Sequence, residues 1–121
     1  MAYIDGFVLA VPAANKQEFI EHAEFVDQII KDFGADRIVE CWADDVPDGE
    51  VTDFRRAVKA KDDEIVVFAW IEWPDKETRD AGMKKMQEHA KDDERWDPEK
   101  YPPPFDGKRM VWGGFTPVVE I

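Results

Sequence analysis

Residues 64–73 (EIVVFAWIEW) constrain the fold of this chain more than any other stretch, because apolar side chains occupy both parities of what reads as one strand. Ile65, Val67, Ala69, Ile71 and Trp73 fall on one side, and Val66, Phe68 and Trp70 on the other. Successive strand side chains point to opposite faces of a sheet, so both faces around this strand need shelter from water. The run is far short of the ~20 apolar residues that a bilayer-spanning helix requires. Residues 3–11 (YIDGFVLAV) repeat the pattern, with Phe7, Leu9 and Val11 opposed to Ile4, Val8 and Ala10. Pro12 and Pro74 stop the two strands.

Helical periodicity fills the intervals. Phe19, Ala23, Val26, Ile30 and Phe33 recur every three or four residues after Asn15, which suits an N-cap, and Gly34 supplies a left-handed stop. This predicts a helix over about residues 16–33. Residues 37–43 (RIVECWA) read as a second strand, closed by the turn-forming 44–49 (DDVPDG). Either a short helical turn capped by Thr52 or Asp53, or a strand extension, accommodates residues 54–58. Asp75 caps a second long helix to about residue 91, with Gly82, Met83, Met86 and Ala90 on its buried side. Residues 92–104 are polar and then proline-rich, an extended connector. A fourth strand spans residues 108–115, where Gly113-Gly114 suggests a bulge or a close backbone approach, and residues 118–121 offer a short terminal strand.

The order is β-α-β-β-α-β in 121 residues, one domain's worth of chain. It predicts an α+β, ferredoxin-like fold with a mainly antiparallel sheet, each helix crossing over between parallel neighbours and both helices on one face. The other face is then apolar and bare. Such a face exceeds the few hundred Å² of apolar patch that a soluble monomer tolerates, and a second copy covers it through a self-complementary contact burying ~800 Å² per partner. A homodimer is expected; a terminal strand or long loop folded over that face is the alternative.

Sixteen Lys and Arg against 28 Asp and Glu give a net charge of −12, a field that repels nucleic-acid phosphates and anionic lipid heads. Neither is an expected partner. At 44% hydrophobic the chain is too apolar for disorder. The one cysteine, Cys41, cannot close an internal disulfide, which suits the cytoplasm. Two His, one Cys and no HExxH, CxxC, GxGxxG or Walker pattern give no reason to expect a metal or nucleotide cofactor.

Chemistry therefore falls to isolated side chains. His22 lies between Phe19 and Val26 on the apolar stripe of the first helix, where a desolvated imidazole suits a proton shuttle, or is simply a core histidine with a satisfied ring. Glu40, Trp42 and Asp44 share one face of the second strand, and Phe68, Trp70 and Glu72 one face of the third. If those faces coincide, two carboxylates for acid–base work and two indoles able to sandwich a flat ligand line one cleft; alternatively Glu40 and Glu72 pair with Arg37, Arg79 or Arg109. Arg79, one turn before Met83, is either an internal ion-pair partner or a seat for an anionic ligand. Arg55, Arg56, Lys59 and Lys61 form a basic cluster best read as a solvated loop, Cys41 reads as a core filler, and His89 as a surface residue.

Several segments carry a family resemblance: DGF at 5–7, RIVECW at 37–42, VPDG at 46–49, DFR at 53–55, PFDGKRM at 104–110 and GGF at 113–115. They resemble the YbaA-like family of small bacterial proteins of unknown function, across nearly the whole chain. That family is similar in fold to the dimeric α/β-barrel superfamily of small cofactor-free monooxygenases, heme-handling enzymes and lactone isomerases. The resemblance implies a fold and a dimer and supplies no catalytic residue. The expectation is a cytoplasmic homodimer that binds a small aromatic or carbonyl-containing molecule, with cofactor-free monooxygenase or isomerase activity by fold analogy. In this reading His22, Glu40 and Glu72 are the catalytic candidates, and Trp42, Trp70 and Arg79 the ligand contacts. A non-catalytic dimeric scaffold or partner-binding module is the alternative.

Overall fold

The computed structural model describes residues 1–121. Four strands, β1 (Tyr3–Pro12), β2 (Arg37–Trp42), β3 (Glu64–Trp73) and β4 (Val111–Phe115), form one sheet in the order β2-β3-β1-β4. The two long helices are α1 (Lys16–Asp32) and α3 (Lys76–Asp92), with a single-turn α2 (Phe54–Ala57) between β2 and β3. Every adjacent pair of strands is antiparallel. The expected crossovers between parallel neighbours are corrected accordingly: β3 lies between β1 and β2, and β1 between β3 and β4.

Local chemistry sets the helix ends. Asp75 caps α3 by accepting from the Thr78 N–H at 2.7 Å, and Asp53 caps α2 by accepting from the Arg56 N–H at 2.8 Å, so the short turn rather than a strand extension forms there. Asn15 does not cap α1; its Nδ2 donates instead to the Pro104 carbonyl at 3.2 Å, tying the proline-rich connector to the helix start. Gly34 ends α1 at φ 125°, in the left-handed region.

The odd positions of β1 and β3 face α1 and α3. Leu9, Val11, Val67 and Ala69 pack under Phe19, while Ile71 and Trp73 pack with Ile30 and Met86. On the opposite face, the α2 segment covers one end, where Ala10, Val58 and Val66 are buried. The rest of that face is bare: Phe68, Val111 and Phe115 are 45%, 49% and 61% exposed and border an open apolar depression of about 540 Å³. The loop alternative thus holds for one end of the sheet only.

Three expectations at the C-terminal end are corrected. Residues 107–109 form a 3-10 turn, and β4 begins only at Val111. Gly113 and Gly114 pair in regular register with Gly6 and Asp5, without a bulge; it is the Tyr3 ring, not a backbone, that occupies the place of a Gly114 side chain. Residues 118–121 form no strand.

Candidate functional site

The register of β2 on β3 decides which side chains can meet. Glu40 pairs with Ala69 and Trp42 with Val67, so both stand on the helix-facing side, whereas Trp70 and Glu72 stand on the opposite face with Val39 and Arg37. The two carboxylates and two indoles therefore do not line one cleft. Trp70 Nε1 donates to Glu72 Oε2 at 2.9 Å, and Glu72 pairs with Arg37 at 3.6 Å, one of the ion pairs open in the sequence. Arg79 is also engaged internally: it holds Asp5 at 2.9 Å and Asp80 at 3.0 Å, leaving no free cation for a ligand.

What the helix face does bring together is Glu40 and Asp27. Asp27 follows Ala23 by four residues, at the flank of the α1 stripe that overhangs the edge strand β2. Their carboxyls lie close enough to perturb each other's titration. Glu40 is exposed as a residue, yet desolvation on its helix-facing side, then the hydrogen bond and charge of Asp27, push its carboxyl up to about 9. Burial also raises Asp27, with the bond from Glu40 acting the other way. Neither enters an ion pair with Lys, Arg or His. Two such carboxyls can ionise only one at a time near neutrality.

This pair stands between two spaces. Inward lies an apolar cleft of about 190 Å³ walled by Phe7, Phe19, Ile30, Phe105 and Met110. Outward lies an open groove of about 710 Å³ between α1 and β2 that reaches Lys16, Lys31, Arg37 and Trp42. Asp27, Glu40, Phe19, Ala23 and Ile38 border both.

His22, from the same helix as Asp27, also lines the inner cleft, its ring 5.5 Å from that of Phe105 and edge-on to it. Burial lowers its pKa, so the imidazole is neutral where most proteins work. It is half-buried rather than sealed in the core. Trp42 packs on Phe19 at 6.0 Å, with the Lys16 ammonium 5.5 Å above its ring. Of the other candidates, Arg56, Lys59 and Lys61 are exposed, while Arg55 is half-buried, and Arg55 and Arg56 donate to backbone carbonyls of residues 49, 50, 61 and 64. His89 is corrected from the surface to a half-buried place between the Phe33 and Trp96 rings. Asp27 and Phe105 were not singled out by the sequence; an acidic residue bordering an apolar stripe and an aromatic closing a proline run were the available signals.

Residues 2–107 match the family model described as "Protein of unknown function (DUF1428)". The chain is 54% identical over 120 residues to the protein called "Uncharacterized protein YbaA" in Escherichia coli (strain K12), covering 99% of each. The same identity and coverage hold for the protein of that name in Shigella flexneri. Among solved structures it is similar to a dimeric ferredoxin-like protein from an uncultured marine organism, with a TM-score of 0.58 and 12% identity over 99% of this chain and 98% of that one. That likeness speaks to the fold, which is ferredoxin-like, while the family model and the full-length relatives speak to descent: this chain belongs to the DUF1428 family.

Proposed function

We propose that this protein is a cytoplasmic homodimer that takes a small aromatic or carbonyl-containing molecule into the cleft between α1 and the sheet and moves a proton on it without a cofactor. The observation that supports this reading is the Asp27–Glu40 pair, held by two facing elements at the wall of an apolar cleft and engaged in no ion pair. A carboxylic acid beside a carboxylate is the equipment for enolisation. Glu40 gives its proton to the substrate's carbonyl oxygen while Asp27 takes a proton from the adjacent carbon; the C–H pair becomes the C=C bond and the carbonyl π pair becomes the O–H bond. Return of the Asp27 proton to the same carbon gives exchange and its delivery to a different carbon of the enol system gives isomerisation; in either case the O–H proton goes back to Glu40 and the oxidation state is unchanged. The pair thus supports the isomerase branch of the expected chemistry over oxygenation. His22, which lines the same cleft and whose pKa burial lowers, is the candidate to relay the returning proton.

Dimerisation is supported by the exposed apolar face of the sheet and by the description of the structural neighbour as dimeric. The proposed site lies on the helix-facing side, so dimerisation leaves it open.

Deuterium wash-in tests the reading. With phenylacetone and phenylpyruvate as probes in D2O, the protein should exchange the protons beside the carbonyl ~100-fold faster than buffer, the low end of general acid–base catalysis. Asp27→Asn and Glu40→Gln should lose the excess. Exchange at the buffer rate for both probes overturns it.

A further inference from the structure

A third space adjoins the inner cleft, in addition to the outer groove. It measures about 250 Å³, lies between α1 and the proline-rich connector, and is lined by Phe25, Trp96 and Tyr101 among others. His22, Val26 and Phe105 border both this space and the cleft. Of the three, His22 and Val26 rise from α1, whereas Phe105 closes from the connector side. The Phe105 ring lies 5.5 Å from that of His22 and 6.2 Å from that of Phe19, edge-on to both. It is therefore the partition between the two spaces.

The backbone that carries this ring is tied on both sides. Asn15 Nδ2 donates to the Pro104 carbonyl at 3.2 Å, and Asp106 accepts from the Lys108 N–H at 3.0 Å to start the following turn. Phe105 itself is half-buried. Trimming its side chain thus joins the cleft to its neighbour without releasing the connector.

Volume then decides what fits. About 190 Å³ is close to the ~150 Å³ that takes a benzene molecule, and below the ~300 Å³ at which pockets for larger ligands begin. A second fused ring has no room while Phe105 stands, because packed walls yield to added volume only at a cost.

We infer that Phe105 is the specificity-determining wall of the cleft and restricts it to ketones that carry a single six-membered aromatic ring. This rests on the function proposed above and adds the size of the substrate to it. Apolar area alone favours the larger of two ring systems, so a preference for the smaller one reports the wall.

Phenylacetone and naphthylacetone, the same ketone on one ring or on two fused rings, test it. Both are titrated into protein labelled at its methionine methyl groups and followed by NMR. Met110 lines the cleft, and Met86, packed with Ile71 and Trp73 in the other core cluster, is the internal reference. Phenylacetone should shift the Met110 signal and bind about tenfold more tightly than naphthylacetone, the discrimination an apolar pocket of fixed size gives. In Phe105→Ala the order should reverse. Phe105→Leu, which keeps the wall apolar and removes less of it, should move the ratio the same way by a smaller factor and carries the test if circular dichroism finds the alanine variant unfolded. Tyr101→Ala, which trims the neighbouring space and not the cleft, should leave the ratio unchanged. Equal or tighter binding of naphthylacetone to the native protein, or a ratio unmoved by the Phe105 substitutions, overturns the inference. If the native protein exchanges deuterium into both ketones alike, proton transfer stands and the size limit falls. If phenylacetone is preferred and does not exchange, the size limit stands and the acid–base reading falls. If neither ketone shifts Met110, both fall.

Discussion

Arg79 reaches down from α3 and grips both carboxylate oxygens of Asp5 in β1, with Nη2 2.9 Å from Oδ1 and Nε 3.1 Å from Oδ2. The Asp5 side chain is 2% exposed and that of Arg79 18%. Trp73 Nε1 adds a third donor at 2.9 Å, and the Tyr3 ring lies 5.2 Å from the guanidinium. One carboxylate thereby fixes α3 to the two central strands at once.

Removing one partner of such a pair strands a buried charge, which costs about 3–5 kcal/mol. Arg79→Met should lower the urea midpoint accordingly. In Asp5→Asn/Arg79→Met the loss should be smaller than the sum of the single variants, since no charge is left unpaired. Additive losses would show that the two side chains act independently.

A second contact on α3 is steric. A Cβ on Gly82 would lie 2.8 Å from Trp73 Cζ3 and 3.0 Å from the Phe33 carbonyl oxygen, and Trp73 is fully buried. Gly→Ala inside a helix ordinarily gains about 1 kcal/mol, but here the methyl group has to displace a packed indole. Gly82→Ala should therefore destabilise by about 1–3 kcal/mol; a raised melting temperature would mean that the indole yields at little cost.

Glu64 contributes to the acid side of the stability profile. Arg109 clamps its two oxygens at 2.7 Å each, and that hydrogen bonding holds the Glu64 carboxyl at about 2, below its ordinary 4.5. A depressed pKa means that the unfolded chain takes up the proton first. The contribution is complete above 4.5 and is lost as pH falls toward 2. Stability measured by urea titration should drop steeply across that window, and Glu64→Gln should be less stable at neutral pH with a shallower acid limb. An unchanged limb in the variant would assign acid unfolding to other carboxyls.

These relationships were unequally legible in the sequence. The two-sided apolarity of β3 is visible because a strand repeats every second residue, and the spacing of Phe19, Ala23, Val26 and Ile30 gives α1 to within a residue or two. The register of β2 is not visible. Since β3 is apolar on both faces, sliding β2 by one residue leaves its burial plausible while exchanging the partners of Glu40. That ambiguity is why Glu40 and Trp42 could be placed beside Trp70 and Glu72 when the pairing with Ala69 and Val67 separates them. Asp5 carries no local signal either, because its partner lies 74 residues away. Asp27 belongs to the site only through the packing of α1 over the sheet's edge.

Face-to-face association of two sheets predicts a clear change of mass. At micromolar concentration the protein should sediment near twice its 14.0 kDa chain mass. Phe68, 45% exposed in the middle of the bare face, should be central to that contact, so Phe68→Glu buries a charge in both subunits and should leave a folded monomer. A wild-type monomer, or a Phe68→Glu dimer, would show that this face does not meet a second copy.

The proton shared by Asp27 and Glu40 should be readable as a stability cost. Glu40 is raised from 4.5 to about 9, so between those limits the folded chain keeps a proton that the unfolded chain has released. Stability must then fall as pH rises through that window, the opposite sign to Glu64. Glu40→Gln retains a donor toward Asp27 and removes the ionisable group, so the downward slope should flatten. Solvent on the exposed side of Glu40 screens much of the penalty, which leaves a gain at neutral pH on the order of 1 kcal/mol, or a few degrees of melting temperature. The same substitution should abolish deuterium exchange into the ketone probes, because an amide cannot give up the proton that Glu40 gives. A variant both more stable and inactive is the signature of a strained functional pair. One that is less stable with an unaltered basic limb would instead make Glu40 an ordinary structural carboxyl.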